Sequence, residues 1–192
     1  GGRVVKNVAG FDLSRVMCGS RGCLAILTSA TFKLSPLPPA SRTVIVDAPD
    51  LQSLARLART IAAEPVTPSA IELESPVHRL LVRFETTQAA ARSQAAAVAD
   101  LCSRLGAPTT IVDGSEEAAA WSAHDERVSC ASGTLLKIAV LPTDVLPILE
   151  VLTHAAALHH IEWRAGGRVA LGVLDVHLAT PIDHHAAAVS DL

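Results

Sequence analysis

Tyrosine is absent from the 192 residues, and three Phe and two Trp are the only aromatic side chains. A core must be assembled from Ala, Val, Leu and Ile instead. With 49% apolar and 18% charged residues there is ample material for one, which excludes a disordered chain. No apolar run approaches the roughly 20 residues of a membrane span. The 16 basic side chains are scattered among 19 acidic ones, and without a basic stripe a nucleic-acid partner is not indicated. Cys18, Cys23, Cys102 and Cys130 form neither a CxxC pair nor a disulfide framework. Reduced thiols point to a cytoplasmic protein, and a peripheral place at the inner face of a membrane would come only through partners. No G-x-S-x-G elbow is present, so nothing supports hydrolysis.

What is present divides into two parts. Residues 1–40 are rich in glycine, open at Gly1-Gly2-Arg3 without Met or signal peptide, and read as a truncated or proteolysed start. An alternating strand at 30–34 leads into Ser35-Pro36-Leu37-Pro38-Pro39, an extended linker that no helix or central strand tolerates. Residues 41–176 then read as a regular domain, with 177–192 as a C-terminal segment. Residues 42–47 form a strand, and Asp50 caps a helix with the stripe Leu51, Leu54, Ala55, Ala58, Ile61 and Ala62. Ile71 and Leu73 alternate with Glu72 and Glu74, a strand with one wet face, and Leu80, Val82 and Phe84 mark the next. A helix over 87–105, a strand over 109–113 and a helix carrying Trp121 follow. Residues 135–141 form a strand, and Thr143 caps a helix bearing Val145, Ile148, Leu149, Leu152 and Ala156. A strand with Ile161, Trp163 and Ala165 then turns tightly at Gly166-Gly167 into 169–174. The order strand–helix–strand–strand thus occurs twice around a helix–strand–helix segment, with no sequence repeat. Hairpins exclude an all-parallel sheet, and the expected architecture is α+β, an antiparallel sheet flanked by helices on one face.

The stretch that carries chemistry is Val4-Val5-Lys6-Asn7-Val8-Ala9-Gly10-Phe11-Asp12-Leu13, continuing through Gly19-Ser20-Arg21-Gly22-Cys23-Leu24-Ala25-Ile26-Leu27-Thr28. Gly10, Gly19 and Gly22 permit positive φ and close approach of main chain to a ligand, and successive amides in such turns make a nest for anions or ring edges. Apolar residues 24–27 would then dive into a sheet. Turn glycines between two strands are the plainer alternative, and without G-x-G-x-x-G opening a helix a Rossmann site is not supported.

This stretch resembles the second conserved block of the FAD-linked oxidases of the vanillyl-alcohol oxidase / p-cresol methylhydroxylase type, K-N-x-A/T-G-Y-D-L followed by G-S-x-G-x-L-G-V-I-T. Lys6, Asn7, Gly10, Asp12, Leu13, Gly19, Ser20, Gly22, Leu24, Ile26 and Thr28 match. Phe11 stands for the usual Tyr, and Cys23 and Ala25 for Thr and Gly, Ala25 placing a methyl where backbone approaches the cofactor. The wording is most similar to the small FAD-binding subunits of bacterial glycolate oxidases. The resemblance implies that residues 1–40 end an α+β FAD-binding domain and that 41–176 form a ferredoxin-like cap domain. Gly19, Ser20, Gly22, Leu24 and Ile26 would line FAD, Ile26 near its adenine or ribityl portion. Lys6, Asn7, Gly10 and Asp12 would shape the flavin side of the pocket, with Asp12 as a cap for a helix at 13–17 the equal alternative.

The implied activity is oxidation of a small 2-hydroxy acid by hydride transfer to flavin. The self-sufficient dehydrogenases of the family carry H-x-G-D-G-N-x-H in the cap; here only Asp175-Val176-His177 comes near it. That departure fits a subunit completed by a larger flavoprotein and an iron–sulfur subunit, with no catalytic base assignable among these residues. His159-His160 and His184-His185 are neighbours that share no face of a helix or strand, so solvated positions are expected rather than metal ligands. His124-Asp125-Glu126 reads as a surface cap at a helix end. The reading of a different class is a non-catalytic ligand-binding or assembly subunit. In either case the Gly-rich pyrophosphate loop of the first flavin half is not in these 192 residues. About four hydrogen bonds at ~1 kcal/mol each would only offset an association cost of at least ~4 kcal/mol. The stretch alone is therefore expected to bind FAD weakly or not at all, and a submicromolar Kd by titration calorimetry would overturn that expectation.

Overall fold

Two strands, β1 (Ala40–Asp47) and β3 (Arg79–Thr86), pair antiparallel in the register Val44↔Val82 and form the centre of one half of a sheet. The computed structural model describes residues 13–129 and 133–179. The chain divides into two compact units, Gly1–Leu37 and Pro38–Leu192, the division falling inside the proline-rich stretch. Lys6, Asn7, Gly10, Asp12, Cys130, His184 and His185 lie outside the described residues.

In the first unit a short helix, α1 (Leu13–Met17), leads into tight turns, after which residues 24–38 hold no helix or strand. The expected strand at 30–34 is absent and residues 24–27 do not enter a sheet: Ile26 is 90% and Phe32 81% exposed. A strand persists through the ladder it shares with a neighbour, and no described strand pairs with this segment.

The second unit contains α2 (Leu51–Ala63), β2 (Ala70–Ser75), α3 (Gln88–Arg104), β4 (Thr109–Val112), α4 (Gly114–Val128), β5 (Thr134–Ala139), α5 (Val145–Leu158), β6 (Trp163–Arg168) and β7 (Val173–Leu178). All seven strands join one sheet in the order β4-β1-β3-β2-β6-β7-β5, antiparallel at every pairing. The expected α+β antiparallel fold is therefore present. The doubled element order also has a spatial meaning. β1-β3-β2 and β5-β7-β6 are the same arrangement, placed back to back about the β2–β6 pairing.

Register assigns the faces. Val44, Val82, Ile71, Leu73, Ala165 and Val176 share one face with Phe84 and Leu174, and α2, α3 and α5 cover it. Asp50 accepts a hydrogen bond from Ser53 N and caps α2, and Thr87 caps α3 through Ala90 N. In α2 the buried set is Leu54, Leu57, Ala58 and Ile61, with Ala62 on the solvent side. At α5 the expected Thr143 cap is replaced: Asp144 takes the position without a side-chain cap bond, and the Thr143 hydroxyl donates to Asp144 Oδ1 instead. α4 lies across the opposite face, against β1, β6 and β7, so that face is not left to water.

Gly166 and Gly167 do not form the hairpin turn. Both lie within β6, and the turn is the 3-10 segment Val169–Leu171 closed by Gly172. A Cβ on Gly167 would fall 2.3 Å from the Val173 carbonyl oxygen, so glycine there serves close approach of β7 rather than reversal of the chain. β7 runs through His177 and Leu178, past the expected domain end at 176. Among the described residues no helix is long and apolar enough to cross a membrane.

Phe84 is fully buried at the centre of this core. Phe84→Ala is expected to lower the unfolding free energy by about 3–5 kcal/mol. A denaturant midpoint unchanged from the parent chain would show that the strand does not pack as described.

Candidate functional site

The glycine turns come first, because the opening motif points to them. Gly19 and Gly22 sit at φ +83° and +79°, and an added Cβ at either would meet nothing within 4 Å. Conformation, not packing inside the unit, is what requires glycine at both positions. Ser20 N donates to Met17 O at 3.2 Å and Cys23 N to Ser20 O at 2.9 Å. The Arg21 and Gly22 amides donate to no backbone carbonyl among the described residues. Open space lies beside these turns, and exposed Leu24 and Ile26 follow them. α1, with five residues, is too short to contribute a helix terminus to such a site.

The second site is a cleft of about 600 Å³ on the polar face of the sheet, between α4 and strands of both halves. α4 turns Glu117, Trp121 and His124 inward, positions four and three residues apart on one helix face. Glu117 is buried and its Oε1 accepts hydrogen bonds from Ser41 Oγ at 2.6 Å and Thr43 Oγ1 at 2.7 Å, with Arg83 Nε at 3.3 Å. Trp121 donates through Nε1 to Thr43 Oγ1 at 2.9 Å, and the Arg83 guanidinium lies 5.2 Å from the Trp121 ring centre. His124 is 5% exposed and stands edge-on to Trp121. Its Nδ1 is 3.1 Å from Glu74 Oε1 and its Nε2 is 3.9 Å from Glu72 Oε2.

Glu72 and Glu74 are thus not on a wet face. Both are buried beneath α4, and each also has an arginine: Arg168 Nε at 3.5 Å from Glu72, Arg127 Nε at 3.4 Å from Glu74. Burial lifts the Glu72 carboxyl above the usual carboxylate range. His124 and Arg168 pull it down without cancelling the rise, and Asp125 adds to it. Lys137 and Asp175 pair at 3.2 Å on the β5–β7 side of the cleft.

A second expectation is corrected here. His124 is no surface cap; it lies four residues inside α4 and links two carboxylates on β2. Glu117 is not among the expected site residues, although its spacing to Trp121 and His124 is a usable signal. His177 is buried on β7, and His159 and His160 close α5; no cluster of His, Cys, Asp and Glu among the described residues could hold a metal ion. Cys102 is buried and its thiol is pushed up to about 11 by desolvation, which leaves it unreactive.

No family model matches the chain. Over 41 residues it is 61% identical to the glycolate oxidase subunit GlcE of Escherichia coli (strain K12), a match covering 21% of this chain and 12% of that protein. Over 77 residues it is 36% identical to the glycolate oxidase subunit GlcD of Bacillus subtilis (strain 168), covering 40% of this chain and 16% of that protein. Over 71 residues it is 31% identical to the mitochondrial D-lactate dehydrogenase [cytochrome] of Arabidopsis thaliana, covering 37% and 12%. The resemblance to the FAD-linked oxidases stands on these relatives, of whose length the matches span less than a fifth.

The raised Glu72 carboxyl has a signed consequence. The folded state holds the proton more tightly than the unfolded chain, so stability is lost as pH rises from the ordinary glutamate range through the folded value. Glu72→Gln removes that loss. The variant is expected to be more stable than the parent at pH 7, with the advantage shrinking toward pH 4. Parallel denaturation curves at the two pH values check this, and an equal difference at both would contradict it.

Proposed function

We propose that this chain is part of an FAD-dependent oxidoreductase of the glycolate oxidase kind, residues 1–40 closing the flavin-binding domain and 41–176 forming the substrate or cap domain. The observation that carries the reading is the glycine-turn motif, whose described part has positive-φ glycines beside open space and exposed apolar residues that a cofactor would cover. Gly19, Ser20, Gly22, Leu24 and Ile26 would hold FAD, joined by Lys6, Asn7, Gly10 and Asp12. The chemistry FAD supplies when bound is acceptance of a hydride from the carbinol carbon of a 2-hydroxy acid.

The cap unit contributes side chains that bind and orient. The polar cleft offers a small, charged, hydroxylated molecule the kind of surface it needs: guanidinium at Arg168, carboxyl at Glu72, and a rigid wall of Trp121 and His124. That wall is fixed by the Thr43, Glu117 and Arg83 network, so the cleft keeps its shape before any ligand arrives. Two of the relatives are named as subunits. Assembly with a larger flavoprotein and an iron–sulfur subunit therefore belongs to the proposal, as does a small 2-hydroxy acid such as glycolate.

The test is purification of the full-length protein with its partner chains. We expect a yellow preparation with oxidised-flavin absorption that reduces a dye acceptor with glycolate or D-lactate. A colourless complex, inactive on a panel of 2-hydroxy acids even with added FAD, would sink the reading and leave a non-catalytic assembly module.

A further inference from the structure

The polar cleft has a charge problem that its geometry can resolve in one way. Its lining carries four carboxylates, Glu72, Glu85, Asp125 and Asp175, against the cations Arg83, Lys137 and Arg168. An anion entering such a space needs a cation that can be released. Arg83 is held by Ser41, Glu85 and Glu117 and lies against Trp121. Lys137 is paired with Asp175. Arg168, as exposed as Lys137, differs in its partner: its ion pair is a longer, 3.5 Å contact with Glu72, which is buried on the adjacent strand, whereas Asp175 is partly exposed.

We propose that a small carboxylate anion binds this cleft by replacing Glu72 as the counter-ion of Arg168, with Glu72 taking up a proton from solvent as it is displaced. This rests on the reading of the cleft as a small-acid site and adds to it the linkage between binding and protonation. The balance is simple. One proton joins a Glu72 oxygen, one ligand carboxylate joins the Arg168 guanidinium, and the net charge of the cleft is unchanged.

The surroundings make Glu72 the group that yields. From β2, Glu74 stands two residues away on the same face, engaged by His124 and Arg127. From α4, His124 approaches Glu72 at 3.9 Å while Asp125 opposes its charge. From β6, Arg168 is the cation that would leave. Arg83 and Glu85 of β3, Lys137 of β5 and Asp175 of β7 line the same space. Burial already disfavours the charged form of Glu72, so adding a proton there is the least costly way to vacate Arg168. Once neutral, the carboxyl can donate a hydrogen bond to a ligand hydroxyl or carboxylate oxygen.

The experiment is titration calorimetry of glycolate into the full-length protein, at several pH values and in two buffers of different ionisation heat. Glycolate is expected to bind more weakly as pH rises, by up to about tenfold per pH unit, with close to one proton taken up per molecule bound. Glu72→Gln should bind glycolate more tightly than the parent at high pH and with little pH dependence. Arg168→Gln should weaken binding about tenfold or more at low pH, where the parent binds best. Parent binding that is independent of pH and takes up no proton would overturn the linkage while leaving the small-acid reading intact. So would a Glu72→Gln variant, folded by circular dichroism, that follows the parent's pH course. Absence of glycolate binding by parent and Glu72→Gln alike, at every pH, would overturn the small-acid reading and the linkage together.

Discussion

Glu72 and Glu74, two residues apart on β2, are taken out of water by α4, and the polar face of the sheet is organised around keeping both there. A buried carboxylate without partners is too costly to retain. Each therefore has a ring nitrogen of His124 on one side and an arginine on the other. The arginines come from different places, Arg127 from α4 and Arg168 from β6. That arrangement ties the helix to both halves of the sheet across the β2–β6 pairing. The apolar face needs no such device, because α2, α3 and α5 bury it with apolar side chains.

The doubled strand order explains why the cleft lies where it does. Two copies of strand–helix–strand–strand meet at β2 and β6, and the helix–strand–helix segment between them supplies α4 to cover the junction. Gly166, opposite Glu74, adds no side chain to the polar face of this junction, and Gly167 lets β7 approach closely. Much of this was legible beforehand. Asp50 and Thr87 mark helix starts, Val44, Val82 and Phe84 mark the core face, and the element order from β1 to β7 is as expected. Alternation, however, reports which residues share a face and not what covers that face. Glu72 and Glu74 read as wet for that reason, and His124 as a surface residue. Only the long-range approach of α4, some fifty residues away in the chain, makes them buried partners. The glycine pair misled in a related way, since close approach between strands and reversal of the chain call for the same residue.

The first unit shows the opposite failure. Its motif could be read residue by residue, yet the expected strand was not formed, because pairing and burial are properties of a neighbour and not of the segment. Leu24, Ile26, Leu27, Phe32, Leu34 and Leu37 remain largely exposed. A contiguous apolar set of this kind marks a surface that another body covers, and residues 13–37 do not cover it among themselves.

On the proposed reading the two units would recognise their ligands by different physics, and this bears on how freely each could vary. Turns that present amides hold a cofactor through main chain, so a position matters for its φ and its bulk more than for its functional group. Cys23 in place of Thr is tolerable on that basis, while Ala25 in place of Gly adds a methyl and is the harder substitution. The cleft, in contrast, acts through side chains whose charges are fixed by neighbours. There, on the same reading, a change at Arg168 or Glu72 would alter which acid is accepted and at what pH, whereas a change at Thr43 or Glu117 would disturb the frame that holds Trp121 and His124. Cofactor choice would thus be robust to drift in side chains and substrate choice sensitive to it. The relatives that this chain matches are named for different 2-hydroxy acids, glycolate and D-lactate.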